Sequence, residues 1–115
     1  MILTSVILLL IAAVFGLYMA VRIFGGAAPP WGAVILHGLL AASGLVVLLY
    51  ALYAGMQSLP LVIGAVLLVI AALGGFYMVS FQLRKAPPPK AVVVVHALAA
   101  VAGVVCLLSN VLGMA

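Results

Sequence analysis

Four apolar runs, Ile2–Phe24, Trp31–Ala54, Pro60–Leu83 and Ala91–Leu112, occupy nearly the whole of this sequence. Each meets or exceeds the roughly 20 residues that a helix needs to cross about 30 Å of hydrocarbon. A chain of 115 residues that is 71% hydrophobic and 3% charged has too little polar surface to fold in water. A lipid bilayer is therefore its solvent. The connectors are short: Ala27-Ala28-Pro29-Pro30 and Ala86-Pro87-Pro88-Pro89 interrupt the helical hydrogen-bond ladder, and Gly55-Met56-Gln57-Ser58 before Pro60 makes the middle turn. The expected fold is all-α, an integral membrane antiparallel four-helix bundle.

The formal charges, Arg22, Arg84, Lys85 and Lys90, all lie at the first and third connectors. The positive-inside rule predicts both proline turns in the cytoplasm and both termini outside, as in a multi-pass protein of a bacterial-type inner membrane. Met1 leads directly into apolar residues without a basic leader, so the first run is expected to remain as a helix. Trp31, Phe24 and Phe81 fit the cytoplasmic interface, and Tyr50 and Tyr53 the opposite one. Cys106 has no second cysteine to pair with and reads as a small packing residue.

A shift of 59 residues aligns Met1–Met56 with Pro60–Ala115 without a gap, and 19 of the 56 pairs are identical. Leucine, valine and alanine matches follow from composition. The pairing of Tyr18-Met19 with Tyr77-Met78, Pro29-Pro30 with Pro88-Pro89, and His37 with His96 does not. Two tandem helical hairpins, residues 1–56 and 60–115, are thus expected within one transmembrane domain, related by a pseudo-two-fold axis along the membrane normal. Matching positions fall on helical stripes: Val34, His37, Ala41, Gly44 and Leu48 in one half, Val93, His96, Ala100, Gly103 and Leu107 in the other. Small residues on a stripe let membrane helices pack closely. Packing alone does not call for histidine.

Ionisable groups inside a bilayer are costly and usually functional, and here no Asp or Glu exists to pair with them. His37 follows Pro30 by seven residues, about 10 Å along a helix, which puts it below the headgroups on the cytoplasmic side. One reading is a neutral imidazole bonded to a backbone carbonyl or to a hydroxyl such as Ser43, Ser80 or Tyr77. The other is that His37 and His96 are the two axial ligands of one iron, in a b-type haem held without covalent attachment between helices 2 and 4. A bis-imidazole iron separates two backbones by roughly 12–13 Å, which suits a diagonal helix pair better than neighbours packed at about 8–10 Å.

Gly16, Gly75, Met19 and Met78 count to the depth of the histidines, where glycine leaves space for a macrocycle and methionine covers its face. Arg22, Arg84, Lys85 and Lys90 lie just beyond, where haem propionates need cations. The covalent attachment motif Cys-x-x-Cys-His is absent.

With His37, His96 and this helix pattern, the chain resembles in general design the small four-helix membrane b-type cytochromes with paired transmembrane histidines. That resemblance implies electron transfer with quinol or a partner redox subunit. Cytochromes of this kind commonly hold two haems on four histidines, whereas two histidines here allow one bis-histidine haem per chain.

Other classes are weighed on the same residues. Small proton-coupled multidrug exporters are similar in size but need an intramembrane glutamate, and this sequence has no acid. A Cu(I) site from His37, His96, Met19 and Met78 has suitable soft ligands if all four converge. Cys106 lies ten residues past His96, about 15 Å along the helix, out of reach of such a site. A cofactor-free accessory or scaffolding subunit, or a homo-oligomer built through its helix faces, is the main competitor. Basic residues at membrane turns account for the net charge of +4 without nucleic acid, and no nucleophile, base and acid constellation marks an independent enzyme.

Overall fold

The computed structural model of the chain describes residues 1–113, so the last two positions of the second repeat, and their pairing with Gly55 and Met56, lie outside it. Four helices follow one another: α1 Ile2–Phe24, α2 Trp31–Tyr53, α3 Leu59–Leu83 and α4 Lys90–Val111. They match the four apolar runs to within one residue at each end. All four are long and apolar enough to cross a membrane, and among the described residues there is no strand.

The helix ends follow from local chemistry. Pro30 and Pro89 stand immediately before α2 and α4 with φ of −67° and −59°, where a missing amide hydrogen costs nothing. Ser58 caps α3 by accepting the Leu61 amide, and the Asn110 side-chain amide donates to the same hydroxyl at 3.0 Å. After α1, Gly26 takes a left-handed φ of +85°, and the Ala27 amide donates to the Arg22 carbonyl at 2.9 Å. The second hairpin repeats this closure with the Ala86 amide on the Phe81 carbonyl, but there Lys85 occupies the left-handed position with φ of 56°. A side chain in that region costs about 1–2 kcal/mol that glycine avoids.

Each helix packs on the next, and α1 also packs on α4, which closes the ring and leaves α1 opposite α3 and α2 opposite α4. The bundle is 42 Å long and about half as wide, at 21 × 19 Å. That length equals a bilayer of about 40–45 Å with its interfacial layers. Large apolar side chains such as Leu73, Phe76 and Leu98 face outward, as a lipid environment requires.

Packing is uneven along the bundle. The fully buried cluster, including Val6, Leu9, Leu48, Leu68 and Leu107, lies in the half away from the proline turns. Its repeat symmetry is visible atom by atom. A Cβ on Gly44 would stand 2.7 Å from Leu9 Cγ, and one on Gly103 would stand 2.8 Å from Leu68 Cγ. The halves differ at this contact in one hydrogen bond, from the buried Ser5 hydroxyl to the Gly44 carbonyl at 2.7 Å. Gly64 takes the place of Ser5 in the second hairpin, and a Cβ there would meet the Gly103 carbonyl at 3.1 Å and Cys106 Cβ at 3.3 Å. Cys106 is thus a half-buried packing residue. Toward the proline turns, by contrast, the fully buried residues are few and compact: Ala12, Ala71, Val93 and Pro29.

Candidate functional site

The loosely packed half holds the two histidines. His37 projects from α2 and His96 from α4, helices that face each other across the ring without packing together. Their imidazoles nevertheless meet, with ring centroids 6.2 Å apart and ring planes at 67°. Both rings are half-buried.

Each imidazole is fixed by the neighbouring helix of its own hairpin. His37 Nδ1 lies 2.7 Å from the Ala12 carbonyl, and His96 Nδ1 lies 2.7 Å from the Ala71 carbonyl. A carbonyl can only accept, so Nδ1 carries the proton and donates, and the lone pair of the neutral ring resides on Nε2. Metal-binding histidines are commonly held by this same backbone contact, which sets the ring orientation and leaves the other nitrogen basic. A histidine that serves only packing satisfies one nitrogen in the same way. Ser43, Ser80 and Tyr77 are not the partners: Ser80 Oγ donates to its own helix at the Tyr77 carbonyl, and Ser43 faces outward.

Gly16 and Gly75 explain how the rings reach helical carbonyls. The Ala12 and Ala71 carbonyls sit one turn before those glycines, where a side chain would ordinarily cover them. A Cβ on Gly16 would lie 3.0 Å from His37 Cε1, and one on Gly75 would lie 3.4 Å from His96 Cε1. The space at each glycine is filled by the imidazole itself. This differs from the expectation of open room for a macrocycle, because the carbonyl contact draws each ring against the neighbouring helix. The full unit is an alanine carbonyl, a glycine four residues later and a histidine 21 residues beyond that, present in both hairpins.

Met19 and Met78 are half-buried one turn closer to the proline end. Among the described residues no group of three or more His, Cys, Asp or Glu side chains comes together, so the histidine pair stands alone as a nitrogen donor set. The cations cap the proline end. Arg22 donates twice to the Ala28 carbonyl, at 2.9 and 3.1 Å. Arg84 bonds the Ser80 carbonyl at 3.1 Å and its guanidinium stands 4.5 Å from the Phe81 ring centre. Lys90 Nζ is 5.8 Å from the Phe24 ring centre. Gln82, near the end of α3, ties that helix to the first proline turn by donating to the Pro29 carbonyl at 2.8 Å.

A groove of about 280 Å³ runs down the outer face between α3 and α4, with His96 in its wall and Gly74 at its floor. Its signal in the sequence is the pairing of Gly74 with Phe15 in the repeat. A comparison with known protein families, curated proteins and solved structures found no match to this chain.

Proposed function

We propose that this multi-pass membrane protein holds one b-type haem between His37 and His96 and serves in electron transfer, with quinol or a partner redox subunit as the exchange partner. The observation that carries this reading is the placement of two imidazoles from opposite helices with centroids 6.2 Å apart, both tethered through Nδ1. Two metal–nitrogen bonds of about 2.0 Å, with each nitrogen roughly 1.1 Å from its ring centre, would span about 6.2 Å if both Nε2 atoms face one iron in line. The donor chemistry fits as well, since neutral imidazole with a free Nε2 is the form that binds haem iron.

In this reading the protein supplies position and electrostatics, and the haem supplies the redox couple. The Ala12 and Ala71 carbonyls strengthen the basicity of Nε2 and hold both rings in register. A half-buried site without acidic groups is sensitive to the cations at one end: Arg22, Arg84, Lys85 and Lys90 would offset the negative propionates and favour the reduced state. Those cations also orient the proline turns to the cytoplasm, which puts the site near that face of an inner membrane. Met19 and Met78 would cover the ring without ligating it.

The test is the visible spectrum of protein purified from cells supplied with haem. A sharp Soret band with reduced α and β bands, at one haem per chain, is the expected result. A featureless spectrum with the helices intact overturns the reading and favours the cofactor-free accessory subunit. Copper at one ion per chain without haem favours a Cu(I) site formed with Met19 and Met78.

A further inference from the structure

The two hairpins differ on their outer faces, toward the proline end. Phe15 in α1 corresponds by the repeat to Gly74 in α3. At that place an apolar groove of about 280 Å³ faces outward between α3 and α4, with Ile70 and Gly74 in one wall and Ala91, Val95 and Ala99 in the other. From Ala91 to Ala99 it follows α4 for about 12 Å, starting at the proline end. Val95 on its rim is 61% exposed. Behind it the His96 ring is held on the Ala71 carbonyl at 2.7 Å, so the groove is a shallow outer seat and not a way into the bundle.

Charge differs between the hairpins at the same end. Arg84 and Lys85 stand where the first hairpin has Gly25 and Gly26. Lys85 is exposed and takes a left-handed φ of 56°, a conformation that Gly26 adopts without penalty. Ile70, Gly74 and Phe81 fall on one helical stripe, and the Arg84 guanidinium stands 4.5 Å from the Phe81 ring centre at the head of that stripe. Two of its five N–H groups are used on Ser80, which leaves three for a further acceptor. Lys90 is turned away toward Phe24 of α1 and takes no part. The chain has no acidic side chain to neutralise Arg84 and Lys85, and a bundle 42 Å long puts their turn at the depth of the lipid headgroups.

We propose that the outer α3–α4 groove seats one anionic phospholipid of the bilayer, with an acyl chain along the groove and the phosphate on Arg84 and Lys85. Groove and cations then serve one ligand, which is apolar below and anionic above. A zwitterionic headgroup would bring its ammonium to a surface with no carboxylate to receive it, so the seat selects lipids of net negative charge. The left-handed Lys85 belongs to the same account, because a position strained for a side chain is retained where that side chain has a use. The first hairpin has no such seat: Phe15 stands at the place of Gly74, and its one cation, Arg22, is committed to the Ala28 carbonyl. Nothing in this assignment depends on haem.

The experiment compares phosphatidylglycerol with phosphatidylethanolamine of identical acyl chains by native mass spectrometry of the delipidated chain. The unaltered chain should hold one phosphatidylglycerol about tenfold more tightly than the zwitterionic lipid. Arg84→Gln with Lys85→Gln should bring the two lipids level, and Gly74→Phe should weaken phosphatidylglycerol by filling the place of its tail. The position of the seat is read in nanodiscs by tryptophan quenching with lipids brominated on their chains, in a Trp31→Phe background carrying Val95→Trp or, at its repeat counterpart, Leu36→Trp. Brominated phosphatidylglycerol should quench the Val95→Trp protein at about tenfold lower mole fraction than brominated phosphatidylethanolamine, and the two should quench the Leu36→Trp protein alike. Equal affinity of both lipids for the unaltered chain, or a preference that survives Arg84→Gln with Lys85→Gln, would overturn the proposal. So would the same preference at Leu36→Trp as at Val95→Trp, which would place the selection in the charge of the whole face and not in the groove.

Discussion

His37 and His96 bring their ring centres to 6.2 Å although the helices that carry them make no direct backbone approach. If the two share one iron, losing either has the effect of losing both. His37→Ala and His96→Ala should each abolish a low-spin bis-histidine spectrum, and the double variant should add little. Met19→Leu and Met78→Leu should leave that spectrum nearly unchanged. Magnetic circular dichroism with metal analysis on variants of matched helicity checks this, and a surviving low-spin signal in either histidine variant refutes the shared iron.

Gly16 and Gly75 should differ in their tolerance of alanine, since the added Cβ would lie 3.0 Å from His37 Cε1 in one case and 3.4 Å from His96 Cε1 in the other. The first contact requires the imidazole to move and the second is nearly ordinary van der Waals distance. Gly16→Ala should therefore weaken haem retention severalfold and lower stability by about 1–2 kcal/mol, with Gly75→Ala milder in both respects. Haem dissociation rates and unfolding midpoints in detergent provide the comparison. Equal effects at the two sites would contradict the close approach at Gly16.

The helices were legible because four apolar runs bounded by proline and glycine admit little else in 115 residues. The shared stripe of His37 and Gly44 was legible through the repeat, which turns a pair of isolated residues into a pattern. Three features were not. The Ala12 and Ala71 carbonyls carry no side-chain signal, since any residue offers the same acceptor. The role of Gly16 is hidden because sequence shows a missing side chain but not what fills its place. The groove at Gly74 goes with a difference between the hairpins, which their identical positions do not carry.

Gly44 and Gly103 should also be intolerant of alanine, but through stability alone and not through the site. Their added Cβ atoms would stand 2.7 and 2.8 Å from the branch carbons of Leu9 and Leu68, in the tightly packed half. Each substitution should cost about 1–3 kcal/mol. Ser5→Ala should cost less, about 0.6 kcal/mol and at most about 1.7, the range for hydrogen bonds between membrane helices. Any haem spectrum should persist in molecules that remain folded. Steric trapping or denaturant titration in mixed micelles measures the differences, and stabilisation by Gly44→Ala would contradict the packing.

The last prediction concerns orientation. Arg22, Arg84, Lys85 and Lys90 all lie at the proline end, and the middle connector, Gly55-Met56-Gln57-Ser58, carries no charge. Positive residues in short loops are retained on the cytoplasmic side during insertion, while uncharged turns cross. Single cysteines at Ala27 and Ala86 in a Cys106→Ala background should then resist a membrane-impermeant maleimide in intact cells and react after lysis. One at Gln57 should react in both. Because the second hairpin brings three of the four cations, changing Arg22→Gln should leave this pattern intact. Changing Arg84, Lys85 and Lys90 together to glutamine should give a mixed population, with some Gln57 cysteines protected. Labelling of Ala27 and Ala86 cysteines in unbroken cells, with Gln57 protected, would invert the bundle and put the histidine pair near the outer face.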